Sequence, residues 1–180
     1  MSLSRREILA GACSACACVA LGLPTAHAAA AQIPEGMDPA VFSKERFLTH
    51  WNCTQAVLES LVMHSGMDAE TLSKITSPFA AGMWSGLTCG AVTGAMMAIG
   101  MRYGRTSDGD AKAMETTTAK TRELMAALSG KFGDLNCSAL LGVDMSTDAG
   151  IKEAADKGLF KSKCPVLVEA STREALRLMA

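Results

Sequence analysis

A chain of 180 residues with 17 Lys or Arg against 18 Asp or Glu carries a formal net charge of −1, and no basic patch or stripe runs along it, which argues against nucleic acid as a partner. Aromatic residues make up only 4% of the chain while Met occurs 12 times, a balance that favours helix packed on helix over a β-sandwich. The length suits one domain with a core of its own.

The opening segment reads as an address. Ser4-Arg5-Arg6-Glu7-Ile8-Leu9 fits the twin-arginine pattern, two arginines and a spacer before apolar residues. Ile8 to Leu23 is uncharged and mostly apolar, and Pro24 leads into Ala26-His27-Ala28, a small-x-small cleavage signal. The apolar run is too short, and too rich in Ala, Gly and Cys, to make a membrane span. Residues 1–28 are therefore expected to be a twin-arginine-type signal peptide, and the mature protein to be exported, periplasmic where that compartment exists, with no stable membrane span. Cys13, Cys16 and Cys18 would leave with the signal. Residues 29–41 read as an exposed lead-in, and 42–180 as one helical domain.

Helices are expected nearly throughout that domain. Ser43 can cap a long helix running through Phe47, Trp51, Val57 and Leu61 to a stop at Ser65-Gly66. Asp68 can cap a shorter one reaching the turn at Ser77-Pro78. A Gly-rich helix runs from about Thr88 to Arg102 and stops at Tyr103-Gly104. Asp108 or Asp110 begins a polar amphipathic helix closed by Gly130. Two short helices follow, near Cys137 to Leu141 and Thr147 to Lys157. The last starts at Cys164-Pro165, with proline in its favoured first turn. No window alternates at period two for long, so the expected fold is all-α, a compact single-domain helical bundle.

The domain keeps Cys53, Cys89, Cys137 and Cys164. Three of them fall at expected helix starts, where backbone N–H groups and the positive dipole end favour a thiolate, which is both the nucleophile and the metal-binding form. Cys53 instead is expected inside the first long helix, facing inward with Val57 and Leu61. Gly90 and Gly94, at i and i+4, form a bare stripe that lets another backbone or a cofactor approach closely. His50, three residues before Cys53, is more readily a hydrogen-bonded residue than a ligand. His64 at a helix end suits a favourable C-terminal charge. Met96, Met97 and Met101 are expected as core filler rather than metal ligands. Hydrolase and nucleotide-binding signatures are missing from the sequence.

Asn52-Cys53-Thr54-Gln55, then Thr88-Cys89-Gly90-Ala91-Val92-Thr93-Gly94, then Asn136-Cys137, then Cys164 resemble the C-GCAxxG-C-C family of redox-active proteins, named for four cysteines and a central CGAxxG. The resemblance covers roughly residues 42 to 172. The domain also looks like the iron–sulfur part of split-Soret cytochromes c. That likeness implies an iron–sulfur cluster, of the two-iron, two-sulfide kind or similar, held as metal ligands by Cys53, Cys89, Cys137 and Cys164. It implies Gly90 and Gly94 beside the cofactor and a redox partner protein. Covalent haem is not expected, because this chain has no C-x-x-C-H.

The residues themselves leave alternatives. Four thiolates also suit zinc. An even set of cysteines in an oxidising compartment can form disulfides, with three pairings to choose from, or a reversible thiol–disulfide pair. A homodimer joined through the glycine stripe is a further candidate assembly. The leading expectation is an exported metal-binding electron-transfer protein.

Overall fold

The computed structural model describes residues 32–62 and 67–180. The expected signal peptide, with Cys13, Cys16 and Cys18, and His64 lie outside the described residues. The described residues are helical almost throughout and hold a single isolated bridge between Thr88 and Asn136 in place of a sheet. The all-α expectation is met. Among the described residues, no helix is long and apolar enough to cross a membrane.

The first helix, α1 (Pro39–His50), starts within the expected lead-in. Asp38 rather than Ser43 caps it, accepting from the Ala40 N–H at 2.8 Å, with proline at the first helical position. Ser43 is buried, and its hydroxyl accepts from Thr172 at 2.9 Å, tying α1 to the last helix.

The expected long helix breaks in two. Trp51 turns left-handed at φ 59°, and Asn52 caps a new helix, α2 (Cys53–Leu61), by accepting from the Gln55 N–H at 3.0 Å. Cys53 therefore opens a helix instead of lying within one. The signal was present: Asn52 and Gln55 stand three apart, the spacing of a capping box.

Helix α3 (Ala69–Thr76) is capped by Asp68 as expected. After a short 3-10 turn at Ser77–Phe79, Ala81, Gly82, Met83 and Trp84 all take left-handed backbone, with φ of 51°, 65°, 60° and 53°. Only Gly82 is conformationally suited to this. A Cβ on Gly82 would also stand 2.7 Å from the Leu87 nitrogen. The turn is held by the Leu87 N–H donating to Gly82 O at 3.1 Å and by the Trp84 indole donating to Ser77 O at 3.1 Å.

Helix α4 (Gly90–Tyr103) is the apolar centre of the molecule, burying Ala91, Val92, Ala95, Ala98 and Ile99. The glycine stripe lies against α2. A Cβ on Gly94 would stand 2.6 Å from Thr54 O, and one on Gly90 would strike the Cys53 sulfur and lie 2.5 Å from Thr54 Oγ1. The close approach made by these glycines is thus to a neighbouring helix of the same chain, so the stripe is not open to a second copy.

Helix α5 (Ala111–Phe132) is capped by Asp110 and runs past Gly130 to Gly133. Helices α6 (Cys137–Leu141), α7 (Asp148–Asp156) and α8 (Leu159–Ser162) form a small unit around Cys137, Leu141, Val143, Met145 and Ala154. Helix α8 is the element that sequence patterning misses; at four residues it is too short to show a period. Helix α9 (Cys164–Met179) returns along α1, α4 and α5, burying Leu167, Val168, Ala175 and Leu178.

Candidate active site

Each of the four described cysteines stands at the start of a helix. Cys53, Cys137 and Cys164 are the first residues of α2, α6 and α9, and Cys89 is the cap residue of α4. Sequence patterning finds three of these placements and misses Cys53.

Two local devices draw the starts together. The Thr88–Asn136 bridge zips the lead-in of α4 to that of α6: Cys89 N–H donates to Leu135 O at 2.9 Å, and Cys137 N–H donates to Leu87 O at 2.7 Å. Lys163 reaches back from the start of α9 to the carbonyls of Leu140 and Leu141, at 3.1 and 3.3 Å. That contact holds the start of α9 at the C-terminal end of α6, where a cation meets the exposed carbonyls.

The four cysteines line one cavity of about 310 Å³. It lies where the main core meets the small unit of α6 to α8. Cys53 and Cys89 belong to the main core, Cys137 to the small unit, and Cys164 packs against both. All four are free thiols.

Their chemistry divides sharply. The Cys89 thiol donates to the Cys53 sulfur, and with the N–H groups of Ala81, Cys53 and Thr54 it brings Cys53 down to about 7 despite burial. The same hydrogen bond, burial and the neighbouring Cys53 charge push Cys89 well above the ordinary thiol range. Burial raises Cys137 to about 12. Burial raises Cys164 further still. A thiolate thus has one preferred seat, and the other three sulfurs are held as S–H. The Ala81 donor is a residue sequence reasoning passes over, because its N–H reaches Cys53 only through the left-handed turn.

This arrangement overturns the metal expectation. Among the described residues, no group of three or more His, Cys, Asp or Glu could hold a metal ion. An iron–sulfur cluster held by Cys53, Cys89, Cys137 and Cys164 therefore does not fit. Cys53 and Cys89 engage each other, and the space beside Gly90 and Gly94 is filled by Cys53, Thr54 and Val57 rather than by a cofactor. The expected metal binding and iron–sulfur cofactor are both contradicted by this arrangement of the four cysteines. A count of four cysteines does not hold for the chain, which has seven, with Cys13, Cys16 and Cys18 outside the described residues.

His50 is engaged elsewhere. Its Nε2 lies 3.2 Å from the Glu59 carboxylate, which also takes two bonds from Arg46, each at 3.1 Å. Burial opposes the charge on Glu59, but His50 and Arg46 outweigh it and hold the carboxyl below its usual range. Met96 and Met97 pack against the cores as filler, whereas Met101 is exposed.

An all-α domain with four cysteines lining one apolar cavity has, as a class, the parts for redox chemistry. Over residues 51–178 the chain matches the family model described as "Putative redox-active protein (C_GCAxxG_C_C)", and it belongs to that family. The family description makes redox activity the function at its coarsest level. No curated protein and no solved structure matches the chain.

Proposed function

We propose that this is a thiol–disulfide redox protein in which Cys53 is the attacking thiolate and Cys89 the thiol that closes the disulfide. The observation that carries the reading is that Cys53 and Cys89, at two adjoining helix starts, line one cavity, with the Cys53 sulfur packed against Gly90 beside Cys89 and the Cys89 thiol foremost in lowering the Cys53 pKa. A thiolate near neutral pH combines a useful charged fraction with retained nucleophilicity. With an oxidant disulfide, Cys53 forms a mixed disulfide and expels one thiolate. Cys89, giving up its proton, then attacks the Cys53 sulfur, expels the second thiolate and leaves a Cys53–Cys89 disulfide. The dithiol loses two electrons and two protons, and the oxidant gains them.

Cys137 and Cys164, held protonated by burial, take no part as nucleophiles in this scheme. Export through the paired arginines Arg5 and Arg6 belongs to the same reading, because an oxidising compartment supplies disulfide acceptors. The redox partner there would be a protein or small molecule able to take the electron pair.

The test is equilibration of the protein in glutathione buffers of graded potential, followed by acid quench, alkylation and peptide mass spectrometry. The expected product is a reversible Cys53–Cys89 disulfide with Cys137 and Cys164 still alkylated. A first-formed disulfide involving Cys137 or Cys164, or no disulfide in oxidising buffer, overturns the assignment.

A further inference from the structure

The wall above the Cys53–Cys89 pair restricts what can oxidise it. Among the described residues, the ionisable side chains lining the cavity are its four cysteines, so an anionic oxidant entering it would lose its hydration and meet only the Cys53 thiolate. A peptide-borne disulfide, glutathione included, reacts slowly for a related reason, its backbone amides meeting Leu, Met and Phe side chains, and comes to equilibrium with the pair only on long incubation. The volume, about 310 Å³, lies at the small end of ligand pockets and suits one substituted ring or a fused pair.

The aromatic residues narrow the choice further. The chain has two tryptophans, Trp51 and Trp84, and both line this cavity while remaining 48% and 55% exposed. They stand where the cavity meets solvent. Each is carried on left-handed backbone, Trp51 where α1 ends and Trp84 in the turn whose Ala81 N–H faces Cys53. Phe47 and Phe160 continue the aromatic lining. Such a frame favours a flat, uncharged ring system. Beyond the reacting pair, Cys137 and Cys164 supply S–H donors within the wall, which suits a ligand whose polar atoms are carbonyl acceptors.

We propose that this cavity binds a quinone, and that the Cys53–Cys89 dithiol reduces it to the hydroquinone. The inference rests on the dithiol reading above and names its oxidant. Cys53 thiolate adds to a ring carbonyl carbon, forming a C–S bond and placing negative charge on the carbonyl oxygen. That oxygen takes a proton, supplied by Cys89. The resulting Cys89 thiolate attacks the Cys53 sulfur, forming the S–S bond. The C–S bond breaks and its electron pair enters the ring, which becomes aromatic as the second oxygen takes a proton from water at the mouth. The dithiol is oxidised by two electrons and the quinone reduced by two.

Duroquinone is the probe, because its fully substituted ring resists permanent arylation by thiols. Mixed with the reduced protein without oxygen, it should quench the tryptophan fluorescence saturably and yield hydroquinone together with the Cys53–Cys89 disulfide. Ile151→Trp, which fills the cavity, should slow hydroquinone formation by about tenfold or more, a loss of roughly 1.4 kcal/mol or more. Its equilibrium disulfide in glutathione buffer should stay unchanged. Leu140→Trp, at another position of the cavity wall, gives the same comparison if Ile151→Trp does not fold. Absence of quenching and of hydroquinone, with the disulfide still forming in glutathione, overturns the quinone and leaves the dithiol standing. Equal hydroquinone rates in wild type and both variants overturn the cavity as the site. Failure of the disulfide in glutathione removes the dithiol reading and this inference with it.

Discussion

Cys53 shows how one residue's chemistry depends on donors from three segments. Its own helix contributes the N–H groups of Cys53 and Thr54, the left-handed turn contributes that of Ala81, and the start of α4 contributes the Cys89 thiol. Cys89 is the largest of these influences, and it is removable without touching the others. Alkylation of Cys53 by iodoacetamide should therefore follow a titration centred near pH 7 in the wild type. In Cys89→Ala the midpoint should move upward by about one pH unit or more, towards and beyond the ordinary 9.0, because burial is then less opposed. Peptide-resolved mass spectrometry over a pH series reads this directly. An unchanged midpoint would mean that Cys89 does not set the charge on Cys53. The four cysteines are conspicuous in the sequence, and so is the capping pattern of Asn52 and Gln55. The Ala81 contribution is not, because no propensity scale places Ala at φ 51°. Distances between sulfurs are likewise absent from a linear spacing, and this is why a ligand set read from the sequence does not survive in the fold.

Among the elements, α2 and α4 decide whether those donors meet. Their crossing rests on Gly94, where a Cβ would stand 2.6 Å from Thr54 O and 3.2 Å from Thr54 Cα, both backbone atoms that cannot swing aside. Gly100, in the same helix, has nothing within 4 Å of an added Cβ. Alanine substitution should therefore have opposite signs at the two positions. Gly100→Ala should stabilise by about 0.5–1 kcal/mol through helix propensity. Gly94→Ala gains the same propensity but must force α2 away, and with overpacking costs of about 1–3 kcal/mol it should be net destabilising. Urea midpoints of the two variants check this, and a Gly94→Ala midpoint at or above that of Gly100→Ala would sink the crossing. The left-handed turn works on the same scale. Ala81, Met83 and Trp84 hold a conformation costing roughly 1–2 kcal/mol per residue, which persists where surrounding contacts over-determine it. Sequence patterning marks a break around Ser77-Pro78 and a helix from Thr88 but is blind to the turn between them, whose residues look like ordinary coil. Helix α4 was legible because Gly90, Gly94 and the run of small residues announce close packing; that the partner is α2 of the same chain was not.

Across the whole molecule, the small unit of α6 to α8 seats against the main core and leaves a cavity at the seam, so thiol ionisation is coupled to global stability. Composition, with few aromatics and many methionines, and the lack of sustained period-two alternation pointed to the helical fold, but the seam is a product of tertiary packing. Its consequence is a pH dependence with a turning point. Cys53 has a folded pKa near 7, mainly through the Cys89 hydrogen bond, against an ordinary value of 9.0. Between about pH 7 and 9 the unfolded chain thus binds more protons at this position than the native one, and stability rises with pH. The contribution is complete above about pH 9 and is lost as pH falls through 7. Cys137 runs the other way: burial raises it to about 12, so its native thiol keeps a proton that the unfolded chain has released. Stability falls between about pH 9 and 12 on that account. Fully reduced protein should therefore gain in urea midpoint from pH 7 to 9, and Cys53→Ala should lack that gain. Above pH 9 both proteins should decline, the wild type more steeply, because the Cys53 charge adds to burial in raising Cys137. Parallel midpoints for wild type and Cys53→Ala from pH 7 to 9 would detach the thiolate from the stability of the fold. A wild-type gain from pH 7 to 9 that Cys53→Ala lacks would place the charge on Cys53 in the intact molecule, where the proposed electron transfer begins.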